Sequence, residues 1–163
     1  MDALIKKDTH IGLSLEKIPT PRPQKNEVLI RILRTSLCGT DLNIYQWAGK
    51  TELPIVLPLV IGHEFVGEII ELGSDLSDFR CGQIVSAETQ IDCGECEPCQ
   101  TGLSQPCTNG HYIGINRPGA CAQYLALPTS ALWVHPLDSA TLFEPLENAV
   151  NAATHMIPRV SQY

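Results

Sequence analysis

The stretch Cys93-Gly-Glu-Cys96-Glu-Pro-Cys99, followed after seven residues by Cys107, decides the fold. Four of the seven cysteines in the chain therefore share a C-x2-C-x2-C-x7-C spacing. Thiolates at such short spacings can form a tetrahedron around zinc. Gly94 and Pro98 supply turns between them. The spacing predicts a structural zinc lobe over about residues 90–110.

Two other uses of these cysteines remain open alternatives. A ferredoxin-type iron–sulfur run would place its fourth cysteine after about three residues, whereas here the gap is seven. Two disulfides would suit a small secreted protein, but the segment Met1–Lys7 has no apolar signal core. We therefore favour zinc over disulfides or a redox cluster.

Composition narrows the class of protein. The 163 residues are 44% hydrophobic, which is typical of one globular domain. A net charge of −7 argues against binding to a nucleic-acid backbone. The longest apolar stretch, Leu53–Ile61, contains two prolines and is too short to span a bilayer. We expect a cytoplasmic protein with no nucleic-acid or membrane partner. Outside the cluster, Cys81 and Cys121 are predicted to be buried small hydrophobic residues.

The remaining pattern predicts a mainly β fold with short helices. Many short apolar or alternating runs separated by Gly and Pro indicate a barrel-like sheet core. The predicted strands are Ala3–Lys6, Ile11–Leu15, Glu27–Arg34, Phe65–Leu72, Gln83–Ala87, Ala120–Leu127 and Ala131–His135.

Two helices are predicted. A turn at Leu37–Asp41 opens a short helix that runs to Trp47, with Thr40 or Asp41 as its N-cap. Apolar residues at helical spacing predict a second helix over about residues 145–156. Glu144 precedes Pro145, so it falls just outside that helix, where a carboxylate can face a cleft.

Cys38, His63 and Glu144 lie far apart in sequence, each at the junction of two predicted elements. Three mixed ligands with an open fourth position are the catalytic type of zinc site. On spacing alone the indication is weak, because a single histidine beside a strand is more often a structural residue.

Three motifs in order carry a family resemblance: Leu37-Cys38-Gly39-Thr40-Asp41, Gly62-His63-Glu64-Phe65-Val66-Gly67, and the four-cysteine lobe. The chain resembles the zinc-containing medium-chain alcohol dehydrogenase family. Gly114-Ile115-Asn116-Arg117-Pro118-Gly119 and Glu144-Pro145-Leu146 are similar to its L-threonine 3-dehydrogenase branch. The resemblance implies a GroES-like catalytic domain over residues 1–163, a partly open β-barrel with a zinc-binding lobe.

The resemblance also implies site residues and cofactors. Cys38 and His63 would ligate a catalytic zinc, and Glu64 and Glu144 would be carboxylates that complete or exchange in its shell. Thr40 would relay the substrate proton. The implied reaction is the NAD-linked oxidation of a small alcohol or amino acid, in this branch of L-threonine to 2-amino-3-oxobutanoate. A second, structural zinc would be bound by Cys93, Cys96, Cys99 and Cys107.

The chain departs from the family in length and in single residues. Family members are about twice as long and carry a Rossmann domain for NAD, whereas here no Gly-x-Gly pair occurs. Strands that close the family's barrel are also missing, which predicts an open sheet edge unless a homo-oligomer or a separate Rossmann-type chain covers it. Asn43 and Gln90 stand where the branch usually has histidines, and Glu147 replaces a glycine.

Two hypotheses follow from these observations. In the first, the chain is the catalytic zinc domain of a dehydrogenase whose cofactor domain is supplied elsewhere. In the second, it is a non-catalytic zinc-binding module or a remnant that lacks the NAD domain.

Overall fold

The computed structural model describes residues 1–47, 54–101 and 107–135. Within these residues the chain forms ten β-strands, two short α-helices and one 3-10 turn. In chain order they are β1 Asp2–Lys6, β2 Ser14–Lys17, β3 Glu27–Ser36, α1 Gly39–Gln46, β4 Leu59–Val60, β5 Glu64–Leu72, β6 Ile84–Ala87, β7 Gln90–Ile91, α2 Glu97–Gln100, β8 His111–Tyr112, β9 Tyr124–Pro128, the 3-10 turn Thr129–Ala131, and β10 Leu132–His135.

The strands form three antiparallel sheets. The largest has five strands in the order β10-β6-β5-β3-β9, and a second has the order β2-β1-β4. The pair β7–β8 forms a small sheet of its own at the base of the cysteine lobe. Among the described residues no sheet closes on itself, so β9 and β10 are open edges of the largest sheet. The prediction of a partly open, mainly β fold is confirmed.

The core lies on the face of the five-stranded sheet that β3 and β5 share. Ile30 faces Ile69 across these strands, and both are fully buried together with Val28 and Val85. The prediction that β3 is buried on both faces holds only for its first half, because the strand becomes mostly exposed from Arg31 onward. That outer half reaches the site described below.

Two predicted strands begin later than the sequence pattern indicates. The alternation from Ile11 predicts a strand there, but β2 begins at Ser14, and Ile11 is 73% exposed. Gly12 has a φ of 120°, which turns the chain away from strand geometry. Similarly, β9 begins at Tyr124 rather than Ala120, because the preceding amides bond elsewhere.

The helix α1 follows β3 and carries one end of the site. Cys38, and not Thr40 or Asp41, is its N-cap: the Cys38 sulfur accepts a hydrogen bond from the Thr40 amide, and Asp41 accepts one from the Cys38 amide. This reciprocal pair is a capping box with cysteine in the place of serine. The helix ends at Gln46, and the C-cap residue Trp47 closes the last turn with a left-handed φ of 50°.

A buried lysine secures the other end of α1. The Lys6 ammonium donates to the carbonyls of His10, Gly12 (3.3 Å) and Tyr45 (2.9 Å), and it lies 5.7 Å from the centre of the Trp47 ring. Since Tyr45 is in the last turn of α1, Lys6 supplies a donor and a positive charge where the helix ends.

Some predictions fall outside the described residues, namely Glu144, Glu147 and the helix over about residues 145–156. None of the helices that the structure describes is long and apolar enough to cross a membrane.

Candidate metal centres

The four cysteines of the lobe converge on one point. Their sulfur atoms all lie within 4.8 Å of one another. The Cys96 sulfur lies 3.4 Å from that of Cys99 and 3.9 Å from that of Cys107, and Cys93 lies 4.0 Å from Cys99. A zinc tetrahedron with bonds of about 2.3 Å has edges of about 3.8 Å. The sulfur positions therefore fit one zinc ion.

Local backbone structure prepares these sulfur atoms for a cation. The amides of Cys93 and Cys96 donate to the sulfurs of Cys107 and Cys93, at 3.3 and 3.4 Å. Hydrogen bonds from the backbone amides of Cys99 and Thr108 lower the pKa of Cys96 to about 6. The adjoining Cys96 sulfur raises the pKa of Cys99 to about 12. A metal ion would displace the remaining protons, so binding is expected to weaken in acid.

A second group joins Cys38, Asp41 and His63. The Cys38 sulfur lies 3.1 Å from His63 Nε2. Cys38 caps α1, and His63 immediately precedes β5, so two neighbouring elements bring the ligands together. A thiolate and an imidazole nitrogen at this distance can bind one metal ion and leave further positions open.

Asp41 holds this pair in place. Its carboxylate, 2% exposed, accepts hydrogen bonds from the amides of Cys38 (2.9 Å) and Gly62 (3.1 Å). One oxygen lies 3.9 Å from His63 Nδ1, a buried atom with no hydrogen-bond partner among the described residues. If Nε2 binds a metal, Nδ1 carries the proton and faces this carboxylate, which is the usual support for a ligating histidine. The unpartnered nitrogen thus fits a metal at Nε2.

The structure brings together some of the predicted site residues and not others. Cys38 and His63 lie side by side, and the Thr40 amide donates to the Cys38 sulfur. The Glu64 carboxylate is not in the group, because it accepts a hydrogen bond of 2.5 Å from Ser36 across the β3–β5 pair. Glu144 lies outside the described residues.

Asp41 is the residue that sequence reasoning missed as a site member. Its only signal was its position three residues after Cys38, the spacing of a capping box. The prediction for Cys81 was wrong, because Cys81 is exposed. Cys121 is only partly buried, and burial raises the pKa of its thiol to about 11.

Known proteins match this chain over most of its sequence. The sequence model of the alcohol dehydrogenase GroES-like domain matches residues 24–138. An L-threonine 3-dehydrogenase of Solibacter usitatus is 46% identical over 157 residues, covering 94% of this chain and 46% of that protein. An L-threonine 3-dehydrogenase of Streptomyces avermitilis is 44% identical over 157 residues, which again cover 94% of this chain and 46% of that protein. The chain therefore spans about half the length of the curated relatives it matches.

Solved structures show the same fold. Galactitol-1-phosphate dehydrogenase from Escherichia coli superposes with a TM-score of 0.76 at 27% identity, over 85% of this chain and 39% of that one. A short chain alcohol dehydrogenase from Escherichia coli CFT073, complexed with NADH, superposes with a TM-score of 0.79 at 28% identity, over 95% of this chain and 45% of that one.

Proposed function

The chain belongs to the alcohol dehydrogenase GroES-like domain family, and from that premise we propose that it is the zinc-binding catalytic domain of an NAD-linked L-threonine dehydrogenase. The observation that carries this proposal is the approach of Cys38 and His63 to 3.1 Å, supported by Asp41. We assign residues 1–163 to one catalytic domain, with the cofactor domain supplied by further sequence or by another chain. The threonine substrate is proposed because relatives at 46% and 44% identity carry that name.

Each centre has its own role in this proposal. Zinc at Cys38 and His63 would supply Lewis acidity that lowers the pKa of the substrate hydroxyl. The chemistry that a nicotinamide held by the cofactor domain would supply is hydride acceptance. The four-cysteine centre, which offers no open position, would be structural.

The residues around Cys38 can handle the proton that the substrate hydroxyl releases. Thr40 is half-buried in the first turn of α1, and no hydrogen bond among the described residues uses its hydroxyl. We propose that this hydroxyl accepts that proton and passes it on. Asn43, one helical turn further on, is exposed and cannot exchange protons near neutral pH. A relay beyond Thr40 would need water.

The carboxylates Glu64 and Glu144 are proposed to complete or exchange in the shell of the second centre. Glu64 would first have to leave Ser36, to which it is hydrogen-bonded at 2.5 Å.

A non-catalytic zinc-binding module is the second candidate. The observation that favours it is that Asn43 and Gln90 stand where related dehydrogenases usually carry histidines, which can relay protons. Under this hypothesis only the four-cysteine centre needs to bind metal.

Metal content separates the two candidates. We expect two zinc ions per purified chain by elemental analysis. His63→Ala should remove one ion, and Cys99→Ser should remove the other. His111→Ala, an exposed histidine outside both groups, is the matched control and should keep two. One ion per chain, unaffected by His63→Ala, would contradict the catalytic proposal.

The substrate requires a second assay. Fused to the cofactor domain of the Solibacter usitatus relative, the chain should reduce NAD with L-threonine, and the His63→Ala fusion should not. Two zinc ions but no turnover of L-threonine would leave a dehydrogenase domain with a different substrate.

A further inference from the structure

A compact loop of residues 112–121, which includes the sequence Gly114–Gly119, lies directly against the backbone that carries His63. The loop is closed by its own hydrogen bonds. The Tyr112 carbonyl accepts from the amides of Ile115, Asn116 and Arg117, each at 3.2 Å, and the Gly114 amide donates to Arg117 at 2.9 Å. Residues bonded in this way move as one unit rather than as a free loop.

Both ends of this loop are anchored in the rest of the fold. Tyr112 lies in β8, which pairs with β7, and the Ile113 amide donates to Thr89 at 3.0 Å. Further along, the Arg117 guanidinium donates to the buried Glu27 carboxylate at 2.5 Å and to the Ala126 carbonyl at 3.1 Å. These contacts tie the loop to β3 and β9, whose positions the core fixes.

From this base the loop holds the three residues that precede His63. Its Gly119, Ala120 and Cys121 amides donate to the carbonyls of Val60 (2.8 Å), Gly62 (2.8 Å) and Ile61 (2.9 Å), respectively. The chain entering His63 therefore has three consecutive carbonyls bound by one rigid segment.

Gly114 and Gly119 of the loop also pack closely against the backbone of Ile61 and Gly62. A Cβ atom on Gly114 would lie 2.9 Å from both the nitrogen and the carbonyl carbon of Gly62, and one on Gly119 would lie 2.5 Å from the Ile61 carbonyl oxygen. Gly62 itself has a φ of 90°, and its amide donates to Asp41. Because real Cβ atoms do not approach backbone this closely, a side chain on either loop glycine forces the loop and the Gly62 backbone to shift relative to one another.

We propose that the loop of residues 112–121 is the positioning element of the second metal centre, and that Gly114 and Gly119 set the direction in which His63 faces Cys38. No side chain of the loop belongs to either metal-ligating group, so the loop acts through the backbone of Val60, Ile61 and Gly62. The inference rests on the second centre proposed above, and it adds residues that touch neither metal nor substrate.

The test uses cobalt as the metal probe and the full chain. Cobalt bound at the two centres is titrated by its absorption bands in the wild type, Gly119→Ala and Gly114→Ala. We expect both variants to weaken binding at the Cys38–His63 centre by about 10- to 100-fold, as loss of supporting contacts does. The four-cysteine centre should bind normally and so show that the variants fold.

Gly82→Ala is the matched control. Gly82 has a φ of 89°, close to the 70° of Gly114, but a Cβ atom there would meet nothing within 4 Å. Alanine at position 82 therefore has a similarly unfavourable backbone conformation, but its side chain makes no contact with Gly62. Normal cobalt binding at Cys38–His63 in the Gly114→Ala and Gly119→Ala variants would overturn the inference.

A second readout needs no metal. The Gly62 amide, bonded to buried Asp41, should exchange with solvent at least about tenfold faster in Gly119→Ala. The Ile69 amide, bonded to Gln83 at 2.9 Å in β5, should keep its protection. Unchanged exchange at Gly62 would also overturn the inference. If the wild type binds no second metal, the proposed catalytic centre fails, and this exchange measurement alone decides the role of the loop.

Discussion

Asp41 joins the two halves of the Cys38–His63 centre through a single buried carboxylate. It receives the Cys38 amide on one side and the Gly62 amide on the other, and it faces His63 Nδ1 at 3.9 Å. A carboxylate is suited to this place because every group around it is an N–H donor. An amide of the same shape would turn an N–H toward at least one of these donors.

We therefore predict that Asp41→Asn weakens metal binding at the second centre by about 10- to 100-fold. The free energy of unfolding should fall by about 1–3 kcal/mol, because a buried donor loses its acceptor. Cobalt titration and urea unfolding measure the two effects. Asp78→Asn, at an exposed carboxylate bonded to Ser77, is the control and should change neither. An Asp41→Asn protein with normal affinity would show that His63 needs no carboxylate.

Helix α1 depends on contacts at its two ends more than on its own sequence. It has eight residues, of which only Asp41 and Ile44 are buried. Helices this short are marginal without tertiary contacts. The capping box fixes its first turn, and Lys6 binds the Tyr45 carbonyl in its last turn. Since Cys38 is the N-cap, a shift of the helix would also move a metal ligand.

At the scale of this element, we predict that Lys6→Met lowers the free energy of unfolding by about 2–4 kcal/mol. Three carbonyls would lose a charged donor in a fully buried place. Urea unfolding measures the change. The control is Lys17→Met, at an exposed lysine paired with Asp2, and it should cost less than about 1 kcal/mol. Equal stability of Lys6→Met and wild type would refute the role of Lys6 in holding α1.

The same elements show how far the sequence alone could lead. Hydrophobic patterns predicted β3 and β6 within a few residues, because burial decides their placement. The predictions for β10 and α1 were also within a few residues, although few of their side chains are buried. The predicted start of β2 was wrong, since the turn at Gly12 is held by Lys6 together with Tyr45, which is 39 residues from Lys6 in sequence. The four cysteines could be assigned from spacing, but the place of Asp41 beside His63 depends on how α1 meets β5.

At the scale of the whole molecule, β10 is an edge strand of the largest sheet in the described part of the chain. Trp133 and Val134, which point to opposite faces, are 59% and 46% exposed. An exposed apolar edge favours pairing with another strand. The net charge of −7 opposes such pairing only weakly at physiological salt, because repulsion is screened beyond about 8 Å.

We predict concentration-dependent self-association that Val134→Lys weakens by at least about tenfold in Kd. A lysine on an edge strand opposes strand pairing by charge and solvation. Sedimentation velocity over a range of concentrations measures the effect. Val134→Thr keeps a β-branched side chain without a charge and should associate like the wild type. Equal association of the lysine variant would place any self-contact elsewhere on the molecule.

The two tryptophans of the chain lie at the end of α1 and on the edge strand β10. Trp47 lies beside the Lys6 ammonium at the end of α1, and Trp133 donates to Glu88 from β10 at 3.1 Å. Their indole rings therefore sit in different electric fields, one near a cation and one near a carboxylate. Single Trp→Phe variants would turn intrinsic fluorescence into two separate optical reporters, one for the helix beside Cys38 and one for the sheet edge.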